Sequence, residues 1–235
     1  MSTLQLWNSY MTSYDFLMKV DSYSKNLEDI AAAIPSLRAK RVLDAGSGTG
    51  NLSLILKRNG ADVISCDISE TAIAQHREKD PSATILRLSL EDPLPMEDAN
   101  FDVICCASVL FALKKDGCRL ALSEFFRVLR PSGKLIVTVA APDQRNGNLL
   151  KMHLRASINR FGWVRGAVHG FFGTPAITRI MYYNRALRRI PDWQGYHRFS
   201  TSELHGMIED AGFQRTTIKR TYGENFLLAI AEKME

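Results

Sequence analysis

Apolar and polar positions alternate in blocks from residue 41 onward, with short apolar runs separated by amphipathic stretches. The apolar runs predict five β-strands, at residues 41–44, 62–67, 83–88, 101–106 and 133–139. The stretches between them predict helices over residues 52–58, 70–79 and 120–130. Ser69 is a suitable N-cap for the second helix, and Pro131 stops the third. This order is typical of a parallel sheet that is covered on both faces.

The pattern changes after residue 140, where helical spacing replaces the regular succession of strands. Residues 149–161 carry apolar side chains at helical spacing, and Thr174-Pro175 is a typical helix start. Ser200 caps a further helix, and two apolar runs joined by a hairpin follow at 213–220 and 226–231. We therefore predict an α/β fold with a doubly wound, mostly parallel seven-stranded sheet, an antiparallel last strand and a helical insertion.

The same pattern divides the chain into four regions. Residues 1–37 precede the first strand, 38–140 contain the strand–helix core, 141–199 are inserted, and 200–235 complete the sheet. The insertion combines aromatic residues with arginines, which suits a flat or lipid-like ligand with a negative group. We expect it to form a substrate cap, in which several aromatic side chains also make up the cap's own small core.

The composition excludes a disordered or fibrous chain, because 46% of the 235 residues are hydrophobic and 23% are charged. The four cysteines form no C-x-x-C pair, so we expect neither a disulfide framework nor a structural zinc site. The first residues lack the basic start and apolar core of a signal peptide. The longest apolar stretch, at residues 101–113, is shorter than the ~20 residues that a spanning helix needs. These features predict a soluble, cytoplasmic protein.

Positive charge is concentrated late in the chain. Residues 151–220 hold 12 Lys and Arg against 4 Asp and Glu, a net charge of +8. The remainder holds 18 against 21, a net charge of −3. Solvated helix faces would explain this distribution. Attraction to an acidic substrate, a phospholipid surface or RNA would explain it as well.

A glycine-rich turn follows the first predicted strand and opens the first helix, with the sequence DAGSGTG at residues 44–50. Glycines let a ligand approach the backbone closely, and the helix N-terminus behind them suits an anionic group. Asp67 ends the second strand, where an acid can accept both ribose hydroxyls. The dinucleotide fingerprint needs a third glycine where this chain has Asn51. Because Asp44 suits a positively charged amino-acid end, the spacing favours a nucleoside with an amino-acid tail over a nicotinamide cofactor.

With these residues the sequence resembles the class I S-adenosylmethionine-dependent methyltransferases, in particular the ubiquinone- and menaquinone-pathway enzymes and their small-molecule relatives. The resemblance covers residues 38–140 and, more weakly, 197–233. It rests on the motifs VLDAGSGTG at 42–50, DIS at 67–69, LPM at 94–96 before FDVI at 101–104, and VLRPSGK at 128–134. It implies a Rossmann-like fold, S-adenosylmethionine as the cofactor and S-adenosylhomocysteine as the product.

The resemblance also implies a set of cofactor-binding residues: Tyr14, Asp44, Gly46, Ser47, Gly48, Asp67, Ile68, Ser89, Leu90, Cys106 and Ala107. In the family pattern, the glycine turn lines the methionine part and Asp44 lies near its ammonium group. Asp67 would hold the ribose hydroxyls, and Ile68 would pack on the adenine face. Gly50 is expected to serve helix packing instead.

Three of these implied contacts lie outside the glycine-rich turn and the end of the second strand. Ser89 and Leu90 occupy the place where the family often has an acid followed by a small residue at the adenine edge. Cys106 and Ala107, at the end of the fourth strand, would border the methionine end. Residues 1–37 would form a helical lid in which Tyr14 closes the site.

Candidate catalytic residues follow from what methyl transfer requires. The protein mainly has to align an acceptor, and an O- or N-acceptor that is protonated at neutral pH can also need a base. His197 and His169 lie in the basic part of the chain and are the candidates, with surface or packing roles as the alternative. Cys105 and Cys106 sit on an apolar strand and are expected to be core residues. No acidic cluster suggests magnesium, so we expect no metal.

The resulting prediction is an enzyme that methylates an O, N or C atom of a small-molecule acceptor of aromatic, lipid-like or anionic character. A tRNA or rRNA methyltransferase that grips RNA through the basic insertion is the alternative. A non-catalytic binding protein is a third class, against which the intact glycine turn and Asp67 argue. Peripheral membrane contact through the basic cap is a further expectation, and the sequence leaves the oligomeric state open.

Overall fold

The structure, a computed structural model, describes residues 3–12, 14–19, 21–143, 154–155, 157–159, 161–168, 171, 178, 182–183, 185–186, 198–221 and 224–234. Its helices are α1 (Thr3–Met11), α2 (Asp21–Ala32), α3 (Asn51–Arg58), α4 (Glu70–Lys79), α5 (Lys115–Val128) and α6 (Thr201–Asp210). Short 3₁₀ helices span Tyr14–Lys19 and Leu110–Ala112. The strands are β1 (Arg41–Ala45), β2 (Asp62–Asp67), β3 (Thr84–Arg87), β4 (Phe101–Ala107), β5 (Leu129–Ala140), β6 (Gln214–Thr221) and β7 (Phe226–Glu232).

The seven strands form one sheet in the order β3-β2-β1-β4-β5-β7-β6. Strands β1 to β5 pair in parallel, and β7 runs antiparallel to both β5 and β6. The predicted fold class is therefore confirmed. The chain order reverses between β1 and β4, and ligands of such sheets bind beyond the carboxyl ends of the strands at this reversal.

The central strands are buried on both faces, which explains their continuous apolar runs. Val42 of β1 belongs to the core cluster that includes residues of α2 and α3. The next residue, Leu43, belongs to the cluster that includes residues of α5 and α6. The same alternation occurs in β4, where Cys105 and Cys106 face opposite cores. Because side chains alternate along a strand, both faces hold β1 and β4 rigidly and fix the position of their carboxyl ends.

Helix α5 differs from its predicted range of 120–130. It starts at Lys115, because Gly117 and Cys118 are buried and Cys118 Sγ contacts the Leu110 carbonyl at 3.1 Å. It ends at Val128 rather than at Pro131, since Leu129 is already extended and pairs with Phe101 of β4. The residue directly before a proline, here Arg130, disfavours the helical conformation, so the helix ends before it. The first turn of α5 has a polar sequence, so its buried contacts could not be recognised from the sequence.

The N-terminal region packs against the helices that flank the glycine-rich turn. Ile30 of α2 is 1% exposed and lies in the same cluster as Leu56 of α3. Tyr10 of α1 packs with Ala72 of α4, and Ser69 Oγ donates to Asn8 Oδ1 at 2.7 Å. The N-terminal region therefore lies beside the carboxyl end of the sheet. None of the helices within the described residues is long and apolar enough to cross a membrane.

Candidate functional site

The glycine-rich turn at residues 44–50 leaves β1 at the point where the strand order reverses. Its three glycines have φ angles of +76°, +54° and +80°, a region that favours glycine. The N–H groups of Gly46 and Ser47 both donate to the carbonyl of Cys66, at 2.8 and 2.9 Å. These two bonds tie the turn to the end of β2 and bring it close to Asp67.

Each glycine of the turn has different surroundings. A Cβ atom on Gly46 would lie 2.3 Å from the Val109 side chain, and one on Gly50 would lie 2.1 Å from the His76 ring. Among the described residues, a Cβ atom on Gly48 would make ordinary contacts with Met11 Sδ at 3.9 Å and Tyr14 Cε1 at 4.0 Å. Gly46 and Gly50 thus permit close packing, as expected for Gly50, whereas Gly48 is less tightly surrounded and lies next to the N-terminal region.

Asp67 is oriented by two backbone donors. Its Oδ2 accepts from the Gly48 N–H and its Oδ1 from the Ser69 N–H, both at 2.8 Å. Burial raises the pKa of this carboxyl, while the backbone N–H groups favour the carboxylate. Each oxygen keeps a further lone pair, so the side chain can accept two more hydrogen bonds from a diol.

Asp44 is 1% exposed and lies behind the turn. Ser53 Oγ donates to its Oδ2 at 2.5 Å, and the same hydroxyl lies 2.9 Å from Ser65 Oγ. Burial raises the pKa of Asp44 to about 7, and the negative charge of Asp67 adds to the rise. A buried carboxyl of this kind is poised to ionise when a cation binds next to it.

Two further features of the turn region suit a ligand. The Ser47 Oγ atom is buried and has no hydrogen-bond partner among the described residues. Buried polar atoms are normally paired, so this hydroxyl fits a polar group that binds at the turn. Ile68 follows Asp67 directly and is 44% exposed, which leaves an apolar surface beside the oriented carboxylate. Together with Asp44, these residues suit a ligand that has a cationic end, a diol and a flat apolar part.

Tyr14 comes close to this site from the N-terminal region. Its ring packs on Tyr23 with the ring centroids 5.8 Å apart, and the two hydroxyls are hydrogen-bonded. Burial raises the pKa of Tyr14, and the charges of nearby Asp67, Asp15 and Asp44 raise it further. Tyr14 is thus a neutral side chain that lies next to Gly48.

A polar cluster that sequence reasoning missed fastens the N-terminal region to the turn. Lys79 Nζ, at the end of α4, donates to Asp15 Oδ1 and to the Thr49 carbonyl, both at 2.6 Å, and to Asn51 Oδ1 at 2.8 Å. Asp15 Oδ1 also accepts from Thr49 Oγ1 at 2.5 Å and from Asn51 Nδ2 at 3.2 Å. We call these four side chains the latch. The one feature visible in the sequence is that Lys79 is a basic residue in the last turn of a helix. This feature does not indicate which residues Lys79 binds.

The remaining predicted cofactor residues are spread around β3 and β4. Ser89 Oγ accepts from the Glu91 N–H at 3.0 Å, and Ala107 is half-buried at the end of β4. Leu90 and Cys106 have their side chains in the core cluster that includes α5, and burial raises the pKa of Cys106 well above its usual value. Leu90 and Cys106 can therefore reach a ligand through their backbone atoms alone.

The candidate catalytic residues His197 and His169 lie outside the described residues. Two other histidines can be placed: His205 Nδ1 lies 3.2 Å from Glu209 Oε2 on α6, and His76 is buried behind Gly50. Within the described ranges, no group of three or more His, Cys, Asp or Glu side chains could hold a metal ion.

Comparison with known proteins gives similarities over most of the chain. Residues 43–137 match the family model of a methyltransferase domain. A malonyl-[acyl-carrier protein] O-methyltransferase from Enterobacter lignolyticus is 32% identical over 119 residues, which is 51% of this chain and 46% of that protein. This chain thus spans less than half the length of that relative.

Two longer alignments cover nearly the whole chain. A demethylmenaquinone methyltransferase from Tropheryma whipplei is 29% identical over 223 residues, which is 92% of this chain and 85% of that protein. The crystal structure of a SAM-dependent methyltransferase from Thermotoga maritima has a TM-score of 0.65 at 18% identity, covering 97% of this chain and 99% of that one. At 18% identity, the similarity to the Thermotoga maritima structure shows a shared fold and nothing more.

Proposed function

The chain belongs to the class I S-adenosylmethionine-dependent methyltransferases, and from this premise we propose that it transfers a methyl group from S-adenosylmethionine to a small-molecule acceptor. The observation that carries the proposal is the Asp67 carboxylate, which accepts hydrogen bonds from the backbone N–H groups of Gly48 and Ser69 at the glycine-rich turn. Such an arrangement suits the diol of a ribose.

In this proposal, each residue at the turn binds a different part of the cofactor. Asp44 would balance the ammonium group, Asp67 would accept the ribose hydroxyls, and Ile68 would pack on the adenine. Ser47 Oγ, which is buried and unpartnered within the described part of the chain, would bond to the methionine end. When bound, the cofactor supplies a methyl group that is already activated by its positive sulfur.

The protein then has to position the acceptor and exclude water. Alignment of two reactants can lower a barrier by roughly 7–11 kcal/mol. We propose residues 1–37 as the lid, 38–140 as the cofactor-binding core, 141–199 as the substrate cap, and 200–235 as the part that completes the sheet. The latch and Tyr14 would hold the lid against the turn, which keeps water from the reacting atoms.

The acceptor class is proposed from the cap and from the relatives. The cap region combines aromatic residues with arginines, which suits an aromatic or lipid-like molecule with a negative group. The names of two relatives, a demethylmenaquinone and a malonyl-[acyl-carrier protein] methyltransferase, agree with a lipid-like or anionic acceptor. An RNA acceptor remains the alternative because residues 151–220 carry a net charge of +8.

The experiment uses the purified chain, methyl-labelled S-adenosylmethionine and a cell extract separated into lipid, small-molecule, protein and RNA fractions. Label in the lipid or small-molecule fraction would support the proposal and provide a compound to identify. Label in the RNA fraction, with a steep dependence on salt, would establish the alternative. Cofactor binding without label in any fraction would instead indicate a binding protein.

His197 and His169 are proposed as bases or acceptor ligands for an O- or N-acceptor. At pH near 7 a histidine can take the proton that the acceptor loses. We expect His197→Ala or His169→Ala to lower turnover at saturating cofactor at least tenfold while the cofactor Kd stays within twofold. Unchanged turnover in both variants would exclude this role for both residues.

Affinity for S-adenosylmethionine should depend on pH through Asp44. Its pKa is raised to about 7 by burial, so the carboxyl is largely protonated below pH 7 in the free protein. The cofactor ammonium favours the carboxylate, so binding lowers this pKa and releases a proton. We therefore expect the affinity to fall as the pH decreases from 7 to 5.5, by at most about tenfold per pH unit.

Calorimetry in two buffers of different ionisation enthalpy measures this proton release directly. Asp44→Asn, which cannot ionise, should bind more weakly and with a flatter pH profile between 5.5 and 7. A wild-type Kd that stays constant across that range would contradict the assignment of Asp44 to the ammonium group. The comparison stops at pH 7 because the amino group of the cofactor itself titrates with a pKa of about 7.7–8.0.

Breaking the latch should weaken cofactor binding without unfolding the core. Lys79→Met removes three hydrogen bonds that join Asp15, Thr49 and Asn51. We expect the Kd for S-adenosylmethionine to rise about tenfold, equivalent to ~1.4 kcal/mol. Limited proteolysis should also cut the first 20 residues faster, because the lid is no longer fastened.

Lys57→Met is the matched control. Lys57 also bonds a carboxylate, Asp80, at the surface next to α4, and within the described part of the chain its only other side-chain hydrogen bond goes to Ser82. Its loss should leave the Kd within twofold. Equal effects of the two substitutions on Kd and on proteolysis would mean that the latch does not act on the site.

A further inference from the structure

A short helical stretch at residues 163–168 places apolar side chains in water. Trp163 and Val164 are each 78% exposed, and Val168 is 52% exposed. We call these three side chains the outer patch. Scattered apolar residues on a surface are ordinary, but an exposed Trp next to two exposed valines within six residues is a cluster that a partner can bury.

Gly166 fixes the direction in which the two valines of the outer patch face, whereas Trp163 is known to be exposed directly. It is buried, and a Cβ atom on it would lie 2.3 Å from the Cα atom of Ile158. This side of the helix therefore packs directly on the preceding segment. Successive residues of an α-helix are about 100° apart, so Val164 and Val168, each two residues from Gly166, point away from the packed side.

The sequence around the outer patch carries charge of one sign. Residues 151–191 contain eight Lys and Arg and no Asp or Glu. The apolar cluster thus belongs to a stretch of sequence that carries only basic charges, and Arg155 and Arg165 are exposed within its described part.

We propose that the outer patch docks this protein on the surface of an anionic phospholipid bilayer. Trp is favoured at the interface between lipid and water, where its ring is buried at the level of the headgroups. Basic residues beside an apolar face are attracted by anionic lipids, and the two contributions reinforce each other. The uniform positive charge argues for a continuous anionic surface as the occupant. This inference goes beyond the proposed reaction and does not depend on it.

The test measures sedimentation of the full chain with vesicles in the absence of S-adenosylmethionine. Vesicles of phosphatidylcholine with 30% phosphatidylglycerol are compared with vesicles of phosphatidylcholine alone. We expect the wild-type chain to sediment with the anionic vesicles and to be released by 0.5 M NaCl. The double variant Trp163→Ser/Val164→Ser should reduce the bound fraction at least fivefold, and Arg165→Gln should reduce it about threefold.

Two matched controls show whether vesicle binding depends on the outer patch or on any exposed apolar or basic side chain. Leu86→Ser removes an apolar side chain that is 37% exposed on the edge strand β3, and Arg58→Gln removes an exposed charge at the end of α3. Both should leave vesicle binding within 1.5-fold of wild type. Because the patch residues are largely exposed, all four variants should keep the wild-type melting temperature within about 2 °C.

Several results would overturn the inference. The double variant could bind anionic vesicles as well as the wild type does, or neutral vesicles could bind the wild type equally well. Binding to an RNA oligonucleotide without binding to vesicles would assign the basic surface to nucleic acid. Self-association in gel filtration that the double variant abolishes, again without vesicle binding, would make the outer patch an interface between copies of this chain.

Discussion

Replacing Asp67 with Asn is expected to weaken S-adenosylmethionine binding by about 100-fold, which corresponds to ~2.7 kcal/mol. Both carboxylate oxygens already accept a backbone N–H, one from Gly48 and one from Ser69. An Asn side chain has a single acceptor oxygen, so its amide group would face one of these donors. The change should therefore remove a hydrogen bond that is proposed for the ribose and also disturb the turn that is proposed to receive the methionine part.

The magnitude follows from the kind of bond that is lost. Hydrogen bonds to charged groups contribute about 1.5–3 kcal/mol each, and two ribose hydroxyls are proposed to bond to this carboxylate. The Asn variant keeps at most one of them, in an altered orientation. Isothermal titration with S-adenosylmethionine and with S-adenosylhomocysteine should show the same loss, because both contain the same ribose.

Glu70→Gln is the matched control for this substitution. Glu70 lies three residues further along, in the first turn of α4, and pairs with Arg87 at the surface. Its replacement should leave the Kd within twofold. A melting curve shows whether Asp67→Asn remains folded. If the folded variant binds the cofactor within threefold of wild type, the ribose is not held by Asp67 and the proposed arrangement of the cofactor is wrong.

The glycine-rich turn and its position beside Asp67 could be predicted from the sequence because the signals are local. The apolar run of β1, the glycines that follow and Asp67 at the end of β2 stand in a fixed order along the chain. Parallel strands bring their carboxyl ends to one edge of the sheet, so this order alone places Asp67 next to the turn. The structure confirms the predicted fold class, pairs β1 with β2 and shows the hydrogen bond between Asp67 and the turn.

The latch could not be predicted, because its members come together only through tertiary packing. Asp15 and Lys79 are 64 residues apart, and each separately has the pattern of an exposed, solvated charge. The early start of α5 has the same origin, since Gly117 is buried against Glu91 although its neighbours are polar. Local composition describes the surface of an element well and its long-range contacts poorly.

Replacing Gly50 with Ala should destabilise the protein by about 2–5 kcal/mol. The residue has a φ of +80°, which costs an L-residue about 1–2 kcal/mol. The added Cβ would also lie 2.1 Å from the ring of His76, which is fully buried and cannot easily move. Overpacking of this kind typically costs a further 1–3 kcal/mol. Thermal or urea unfolding measures the change.

Gly48→Ala should have the opposite result: a small loss of stability and a large loss of cofactor binding. Its φ of +54° again disfavours Ala, but among the described residues the atom nearest to the new Cβ would be Met11 Sδ, at 3.9 Å. The free energy of unfolding should therefore fall by only about 1 kcal/mol. The methyl group would, however, project into the space proposed for the cofactor. We expect its Kd to rise at least 30-fold, a larger loss of binding than in any Gly50→Ala protein that remains folded.

The role of His76 can be isolated with a double-mutant cycle. His76→Ala alone measures the cost of removing the buried ring, and Gly50→Ala/His76→Ala removes the ring that would collide with the new methyl group. If steric overlap explains the loss in Gly50→Ala, the double variant should be more stable than the sum of the two single changes by about 1–3 kcal/mol. Strict additivity would attribute the whole effect to the backbone conformation. Because burial lowers the pKa of His76 to about 4, its ring is neutral at pH 7, so the cycle at that pH measures packing rather than charge.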